Sequence, residues 1–329
     1  LVACTSVAPV TLTAAPPENA INNLEFHLTE SGHYRVDVML NGQGPYEMVL
    51  DTGASISVLF EKTVNELGIV SPEGETAIVH GLIASSPRPV ARVNTISFGQ
   101  ITQENLRVAV LADRQSDRAP AGILGMDVLG DYTLLFNEQS KTLSFFSPQT
   151  LDTDQYSGWR MIPLETNPYS DDDFGLYFLT LRVGGNTVPA VFDLGASFSL
   201  MNWEAADAPA VRRYRRRARE NWELEGAIGV FDPSVLVSYD SITANSYRWK
   251  NWVVLVTELD TLDIIGSADQ PLMIAGADLF RDTSFIADFQ RQFILLKPSR
   301  EHDRPADDDS PMTGTRLKGD TGALDVYDK

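Results

Sequence analysis

The sequence has very little cysteine and histidine, and this scarcity limits the chemistry that the protein can support. Cys4 is the only cysteine, so the chain cannot form an intramolecular disulfide or a cysteine-based zinc site. The four histidines do not have the spacing of a zinc-binding helix. We therefore expect neither a metal ion nor any other cofactor in the functional site.

Positive charge and long apolar runs are scarce as well. The chain has 26 lysine and arginine residues against 45 aspartate and glutamate residues, which gives a formal net charge of −19. A nucleic-acid partner needs a basic surface that releases counterions from the phosphate backbone, so this charge argues against DNA or RNA binding. The sequence has no run of 18 or more apolar residues, and therefore no predicted membrane-spanning helix.

Two short motifs stand out in this globular composition. The first is Asp51-Thr52-Gly53-Ala54-Ser55 and the second is Asp193-Leu194-Gly195-Ala196-Ser197. In each, a short apolar run leads into an acid that is followed by a glycine turn. A single Asp at such a place often caps a turn. The occurrence of the same arrangement twice favours a functional role for both acids.

The segments around the two motifs follow the same order in both halves of the chain. A strand and a glycine turn precede each acid, a glycine-containing segment follows it, and two apolar residues with a glycine close the half. The closing segments are Ile123-Leu124-Gly125 and Ile274-Ala275-Gly276. Because the repeat is a whole domain long, the sequence predicts two similar domains and not a solenoid.

Asp-Thr-Gly-Ala after an apolar strand, with Ile-Leu-Gly downstream, resembles the signature of the aspartic proteases, most closely the retropepsin-like branch. The resemblance covers residues 25 to about 298. It implies an all-β fold of two retropepsin-like β-barrel lobes related by pseudo-twofold symmetry. It also implies a monomer, because one chain supplies both acids, whereas a retroviral enzyme must dimerise.

Hydrolysis of a peptide without a metal ion or a covalent intermediate suits a pair of carboxyl groups. One group takes a proton from water while the other gives a proton to the carbonyl oxygen. Two carboxyls a few ångströms apart share one proton, because the second ionises with difficulty beside the first. The resemblance implies that Asp51 and Asp193 form this pair and act on an extended peptide or protein substrate.

The resemblance also assigns roles to residues around the two acids. Gly53 and Gly195 would allow tight turns and a close approach of the substrate backbone. Supporting roles fall to Thr52, Ala54, Leu194 and Ala196, and to the two closing segments behind the loops. Two β-hairpin flaps would close over the substrate, at His80, Gly81 and Leu82 and at Gly226, Ala227 and Ile228.

Leu194 departs from the family pattern. The residue after each catalytic acid is normally Thr or Ser, whose hydroxyl exchanges hydrogen bonds with the backbone of the opposite lobe. We expect the Leu194 N–H to bond the Thr52 hydroxyl, but the return bond to the Thr52 N–H has lost its acceptor. A buried unsatisfied group costs about 1–3 kcal/mol.

Two alternatives to a monomeric enzyme therefore stay open. One is a catalytically weakened or inactive peptide-binding protein that has kept the cleft. The other is a homodimer that pairs two copies of Asp51.

The N-terminal residues suggest a membrane tether. Leu1-Val2-Ala3-Cys4 resembles the lipobox of bacterial lipoproteins, and a segment rich in Thr, Ala and Pro follows it. We expect Cys4 to carry lipid and to hold the protein at the bacterial cell envelope, facing the periplasm or the exterior. A chance cysteine near a chain end is the alternative.

Composition changes along the chain predict its division into segments. We expect a tether over 1–20, an N-terminal lobe over 21–147, a linker over 148–158, a C-terminal lobe over 159–298 and a disordered tail over 299–329. A basic helix is predicted within 211–220, with Arg212, Arg215, Arg216 and Arg219 on one face. A solvated surface helix is the favoured interpretation over a contact with an anion or a membrane.

Overall fold

The computed structural model describes residues 17, 19–29, 31–80, 85–113, 119–148, 150–171, 174–206, 222–226, 229–230, 235–259, 263, 265–299 and 324–328. Within these residues the fold is almost entirely β, as predicted. Several predictions concern residues outside this set and stay predictions: the tether with Cys4, Gly81 and Leu82, Ala227 and Ile228, and the basic segment 211–220.

Among its described residues, the N-terminal half contains eleven strands and two short helices. The strands are β1 (Asn22–Glu25), β2 (His27–Leu28), β3 (Tyr34–Leu40), β4 (Gln43–Leu50), β5 (Val58–Phe60), β6 (Thr76–His80), β7 (Ser85–Phe98), β8 (Ile101–Leu111), β9 (Gly122–Leu124), β10 (Thr133–Asn137) and β11 (Thr142–Phe146). The helices are α1 (Glu61–Glu66) and α2 (Met126–Leu129). Strands β2 to β9 form an eight-stranded sheet in the order β2-β3-β4-β9-β5-β8-β7-β6.

The C-terminal half is built from the remaining strands. They are β12 (Arg160–Pro163), β13 (Phe178–Val183), β14 (Asn186–Phe192), β15 (Leu200–Met201), β16 (Trp222–Gly226), β17 (Gly229–Val230), β18 (Val235–Ala244), β19 (Tyr247–Val256), β20 (Met273–Ala275), β21 (Phe285–Asp288), β22 (Phe293–Leu296) and β23 (Leu324–Asp328). Six of them close a barrel in the order β13-β14-β20-β15-β19-β18. No helix among the residues described above has the length and apolar character that would be needed to cross a membrane.

The same set of strand pairings occurs in both halves. In the N-terminal half β9 lies between β4, which is parallel to it, and β5, which is antiparallel. In the C-terminal half β20 lies between β14 and β15 with the same two directions. Strands β4 and β14 each end just before one of the two acids, so each acid leaves its half at an equivalent position.

The two halves share a six-stranded sheet, in the order β1-β11-β10-β21-β22-β12. Each half gives three strands, and β10 pairs with β21 in antiparallel register at the centre. Across this pair Phe136 and Phe285 stack with ring centroids 4.3 Å apart. Within the N-terminal half, β10 and β11 form an antiparallel hairpin. Their partner lies in the other half because strands with an unpaired edge can complete their hydrogen bonds there.

The described part of the C-terminal tail contains one strand. Residues 324–328 form β23, which pairs in antiparallel register with β16 over Trp222 to Gly226. The composition of this segment did not predict a strand, and the disorder expected over the rest of 299–329 stays a prediction. An extended segment can add to the free edge of β16 through backbone hydrogen bonds, which a composition argument does not capture.

We expect the Phe136–Phe285 stack to couple the stability of the two halves. Both rings are fully buried, so Phe136→Ala or Phe285→Ala should each lower the free energy of unfolding by about 3–5 kcal/mol. The double variant should lose less than the sum by about 0.5–1.5 kcal/mol, because the ring contact is lost only once.

Urea unfolding of the four proteins measures this coupling. Phe98 provides the control, because its ring packs against Phe145 and not against Phe285. The Phe98→Ala and Phe285→Ala effects should add. Additive effects for Phe136 and Phe285 as well would contradict the prediction.

Candidate active site

The two acids are positioned by backbone hydrogen bonds to the closing strands. The Asp51 N–H donates to the carbonyl oxygen of Leu124 at 3.0 Å, and the Asp193 N–H donates to that of Ala275 at 3.1 Å. Each bond continues a parallel strand pair by one residue. The side chains of both acids are buried, with 6% and 8% of their residue surface exposed. The fold therefore fixes where each carboxyl leaves its strand.

The carboxyl groups of Asp51 and Asp193 meet and hydrogen-bond to each other. They also cross over, so that each lies against the glycine of the opposite motif. A Cβ atom on Gly53 would lie 2.5 Å from Cγ of Asp193, and one on Gly195 would overlap the Asp51 carboxyl even more. Real Cβ atoms do not approach other atoms so closely, so only glycine fits at either position.

This contact revises the reason for the two glycines. From the sequence, we expected both glycines to allow tight turns and a close approach of the substrate backbone. Neither Gly53 nor Gly195 is among the residues with positive φ, so the turns themselves do not require glycine. The space that a side chain would need is filled by the carboxyl of the acid in the opposite motif.

The two carboxyls differ in their hydrogen bonds. The Gly53 N–H donates to Oδ1 of Asp51 at 2.8 Å. Oδ1 of Asp193 accepts from two N–H groups, those of Gly195 at 2.8 Å and Ala196 at 3.0 Å. Donors stabilise the negative form of a carboxyl. The arrangement therefore favours the charge on Asp193 and the shared proton on Asp51.

The electrostatics agree with this assignment. Burial raises the pKa of both carboxyls, since a charge is poorly solvated in the interior. The pKa of Asp51 is raised well above its usual value, first by burial and then by the negative charge of Asp193. The backbone bonds from Ala196 and Gly195 offset part of the increase at Asp193. Asp51 is therefore the carboxyl that holds a shared proton more readily.

Thr52 links the two halves directly beneath the acids. Its hydroxyl donates to the carbonyl oxygen of Phe192 at 2.8 Å and accepts from the Leu194 N–H at 3.0 Å. The bond between Leu194 and Thr52 that the sequence suggested is therefore present. Leu194 is fully buried in the apolar core and has no hydroxyl to return a bond. One side chain thus bonds the backbone on both sides of Asp193.

A serine and a second acid support the first loop from behind. The Ser57 hydroxyl donates to Asp127 at 2.6 Å and accepts from the Gly125 N–H at 3.0 Å. The Met126 N–H donates to the carbonyl oxygen of Ala54 at 2.8 Å. These bonds join the loop after Asp51 to the closing segment Ile123-Leu124-Gly125.

The second loop has the same support. The Ser199 hydroxyl donates to Asp278 at 2.8 Å and accepts from the Gly276 N–H at 3.2 Å. The Ala277 N–H donates to the carbonyl oxygen of Ala196 at 2.8 Å. Sequence reasoning missed both serine–aspartate pairs. Equal spacing in the two halves could have revealed these pairs. Each serine is the sixth residue after its acid, and each aspartate is the second after its closing glycine.

The predicted flaps are only partly within the described residues. Strands β6 and β7 form an antiparallel hairpin in which His80 pairs with Ser85, and Gly226 of β16 pairs with Gly229 of β17. These backbone pairings place both segments in hairpins that lead toward the predicted tips. Their contacts with a substrate stay a prediction.

The chemistry available at the site is proton transfer between oxygen atoms. Among the residues that the structure describes, no three His, Cys, Asp or Glu side chains group so that they could hold a metal ion. The two facing carboxyls, one able to accept a proton and the other to donate one, are the reactive groups that the loops bring together.

We expect Asp278 to reduce stability as the pH rises. Burial raises its pKa to about 6, although Arg281 and the Ser199 hydroxyl lower it. The unfolded side chain titrates near pH 4. Between about pH 4 and pH 6 the folded protein therefore binds a proton that the unfolded chain does not, and the free energy of unfolding falls with rising pH. The loss levels off above this window at roughly 3 kcal/mol.

Asp278→Asn tests this expectation, because it cannot titrate but keeps an oxygen acceptor for Ser199. Urea unfolding at pH 4 and at pH 6.5 should show a smaller difference in the variant than in the wild type. Asp37→Asn, at an exposed position of β3, is the matched control and should leave the difference unchanged. An equal pH dependence in wild type and Asp278→Asn would rule out the proposed titration.

Comparison with known families supports the assignment of the first half. Residues 36–128 match the sequence model of the aspartyl protease family. The matched segment runs from β3 to α2, and it contains Asp51 and the closing glycine Gly125 but not Asp193. A comparison with curated proteins found no match. The all-β fold, the Asp-Thr-Gly-Ala loop and the family match together show that residues 36–128 are similar to a retropepsin-like aspartyl protease domain.

Proposed function

We propose that the protein is an aspartic endopeptidase that hydrolyses peptide bonds with a water activated between Asp51 and Asp193. The observation that carries the proposal is the hydrogen-bonded contact of these two carboxyls, delivered by equivalent loops of the two halves. A family match to one half accounts for one acid only. The contact supplies the second acid from the same chain.

The hydrogen bonds around the pair suggest how the roles divide. Asp193, which accepts from two backbone N–H groups, is the base that takes a proton from the attacking water. Asp51 holds the shared proton and donates it to the carbonyl oxygen of the scissile bond. The new C–O bond gives a tetrahedral diol. When the C–N bond breaks, the amine takes the proton from Asp193, and a diol hydroxyl returns its proton to Asp51.

The same geometry bears on the two alternatives. A homodimer that pairs two copies of Asp51 is disfavoured, because the space beside Asp51 is already filled by Asp193 and Gly195 of the same chain. A peptide-binding protein without activity would follow if Leu194 displaced the dyad. The Thr52 hydroxyl still bonds the backbone of both Phe192 and Leu194, which supports an aligned pair and hence an enzyme.

Substitution of either acid should abolish hydrolysis. Asp51→Asn and Asp193→Asn each remove one partner in proton transfer, so digestion of a peptide library between pH 3 and pH 7 should fall at least about 100-fold. Asp37→Asn removes an exposed carboxyl and should retain wild-type activity. Undiminished cleavage by Asp193→Asn would refute the single-chain dyad. A specific activity that falls on dilution of the enzyme would support the homodimer.

The hydroxyl of Thr52 should control both stability and rate. Thr52→Val leaves the Phe192 carbonyl and the Leu194 N–H buried without a partner, at a cost of about 1–3 kcal/mol each. We expect a lower free energy of unfolding and a lower kcat, whereas Thr52→Ser, which keeps the hydroxyl, should restore both. Leu194→Thr supplies the missing return bond, and its activity should equal or exceed that of the wild type. A large loss in Leu194→Thr would show that the leucine has a role of its own.

A further inference from the structure

A row of polar side chains crosses the outer face of the C-terminal barrel. Arg182 of β13 lies directly opposite Thr243 of β18, and Thr243 lies directly opposite Arg248 of β19. Residues that are directly opposite on neighbouring strands project from the same face of a sheet. Strands are about 4.8 Å apart, so the two arginines begin about 10 Å apart, on either side of the threonine.

The alternation of burial shows that this face points outward. The next pair along β18 and β19, Ile242 and Trp249, is fully buried and faces the core. Arg182 and Arg248 are exposed and Thr243 is half-buried. Ser241, two residues from Thr243, adds a second hydroxyl to the same face.

The row lies in a groove of about 670 Å³ that both arginines line. The ring of Tyr239 forms part of its wall and packs over Gly184, where an added Cβ would lie 3.2 Å from the ring. The glycine thus leaves space for the ring. The Tyr239 hydroxyl donates to the sulfur of Met201, so the polar groups of β18 that line the groove include the hydroxyls of Ser241 and Thr243.

Neither of the two guanidinium groups is paired with a carboxylate of the described residues. Neither Arg182 nor Arg248 makes a hydrogen bond or an ion pair with any residue in the described part of the chain. Asp240 also lines the groove and is exposed, but it makes no hydrogen bond or ion pair with either arginine. Two arginines without an ion pair in one groove are unexpected in a chain with a net charge of −19.

We propose that this groove binds a phosphate group, held between Arg182 and Arg248 with the Thr243 hydroxyl beneath it. A guanidinium group donates two parallel hydrogen bonds to two oxygens of an oxyanion. One guanidinium group donates to both oxygens of a planar carboxylate. A tetrahedral phosphate has enough oxygens to accept from both arginines and from a hydroxyl. The overall negative charge repels anions in general, so binding has to come from these local donors. Free phosphate and a phospholipid headgroup share this chemistry.

The groove is separate from the dyad. It lies at the Gly184–Gly185 turn that begins β14, whereas Asp193 follows the other end of that strand. Seven strand residues span roughly 20 Å. Changes in the groove should therefore leave peptide hydrolysis unaffected, and its occupancy can be tested independently of the proposed protease activity.

Titration calorimetry with inorganic phosphate at constant ionic strength tests the solution form of the ligand. The wild type should bind one phosphate with a Kd of about 1 mM or tighter. Arg182→Gln and Arg248→Gln should each weaken binding at least about tenfold, and Thr243→Val by less, since it removes a neutral donor. Arg160→Gln, at an exposed position of β12, makes the same charge change elsewhere and should bind as the wild type does.

Sedimentation with phosphatidylcholine vesicles, with and without phosphatidylglycerol, tests the lipid form. Arginine-dependent binding in the calorimeter identifies free phosphate, and arginine-dependent binding to the phosphatidylglycerol vesicles alone identifies a headgroup. The proposal is overturned if the wild type binds in neither experiment. It is also overturned if the Arg182→Gln/Arg248→Gln double variant binds as tightly as the wild type, or if Arg160→Gln loses as much affinity as the groove variants.

Discussion

The mutual burial of the Asp51 and Asp193 carboxyls is the constraint on which the rest of the structure depends. Two acids in contact away from water repel each other when both are ionised and are poorly solvated when either is. The protein holds them together by shared protonation, by backbone N–H donors and by the absence of side chains at Gly53 and Gly195. The remaining elements keep these groups in position.

Three levels of structure maintain the relative position of the two acids. The Thr52 hydroxyl bonds the backbone of the opposite half next to the acids. The Ser57–Asp127 and Ser199–Asp278 pairs hold each loop to the closing segment behind it. Farther away, the six-stranded sheet sets the relative position of the halves. The asymmetry at Leu194 affects only the first level, so the arrangement of the halves does not depend on it.

The sequence predicted the features that lie in local patterns. The two motifs, the all-β class and the unusual Leu194 could each be identified from neighbouring residues. The role of Gly53 could not, because the group that excludes its side chain is 140 positions away, in Asp193. The stack of Phe136 on Phe285 and the pairing of β23 with β16 also depend on contacts that no local pattern contains. The serine–aspartate pairs were visible as equal spacings but gained meaning only from their hydrogen bonds.

The shared six-stranded sheet changes the thermodynamics of assembling the site. Two separate subunits lose translational and rotational entropy whenever they associate, at an estimated cost of about 4–15 kcal/mol. Here the pairing of β10 with β21 occurs within one molecule, so the encounter of the two acids is part of folding. The population of assembled sites consequently follows the folding equilibrium of the chain and not its concentration.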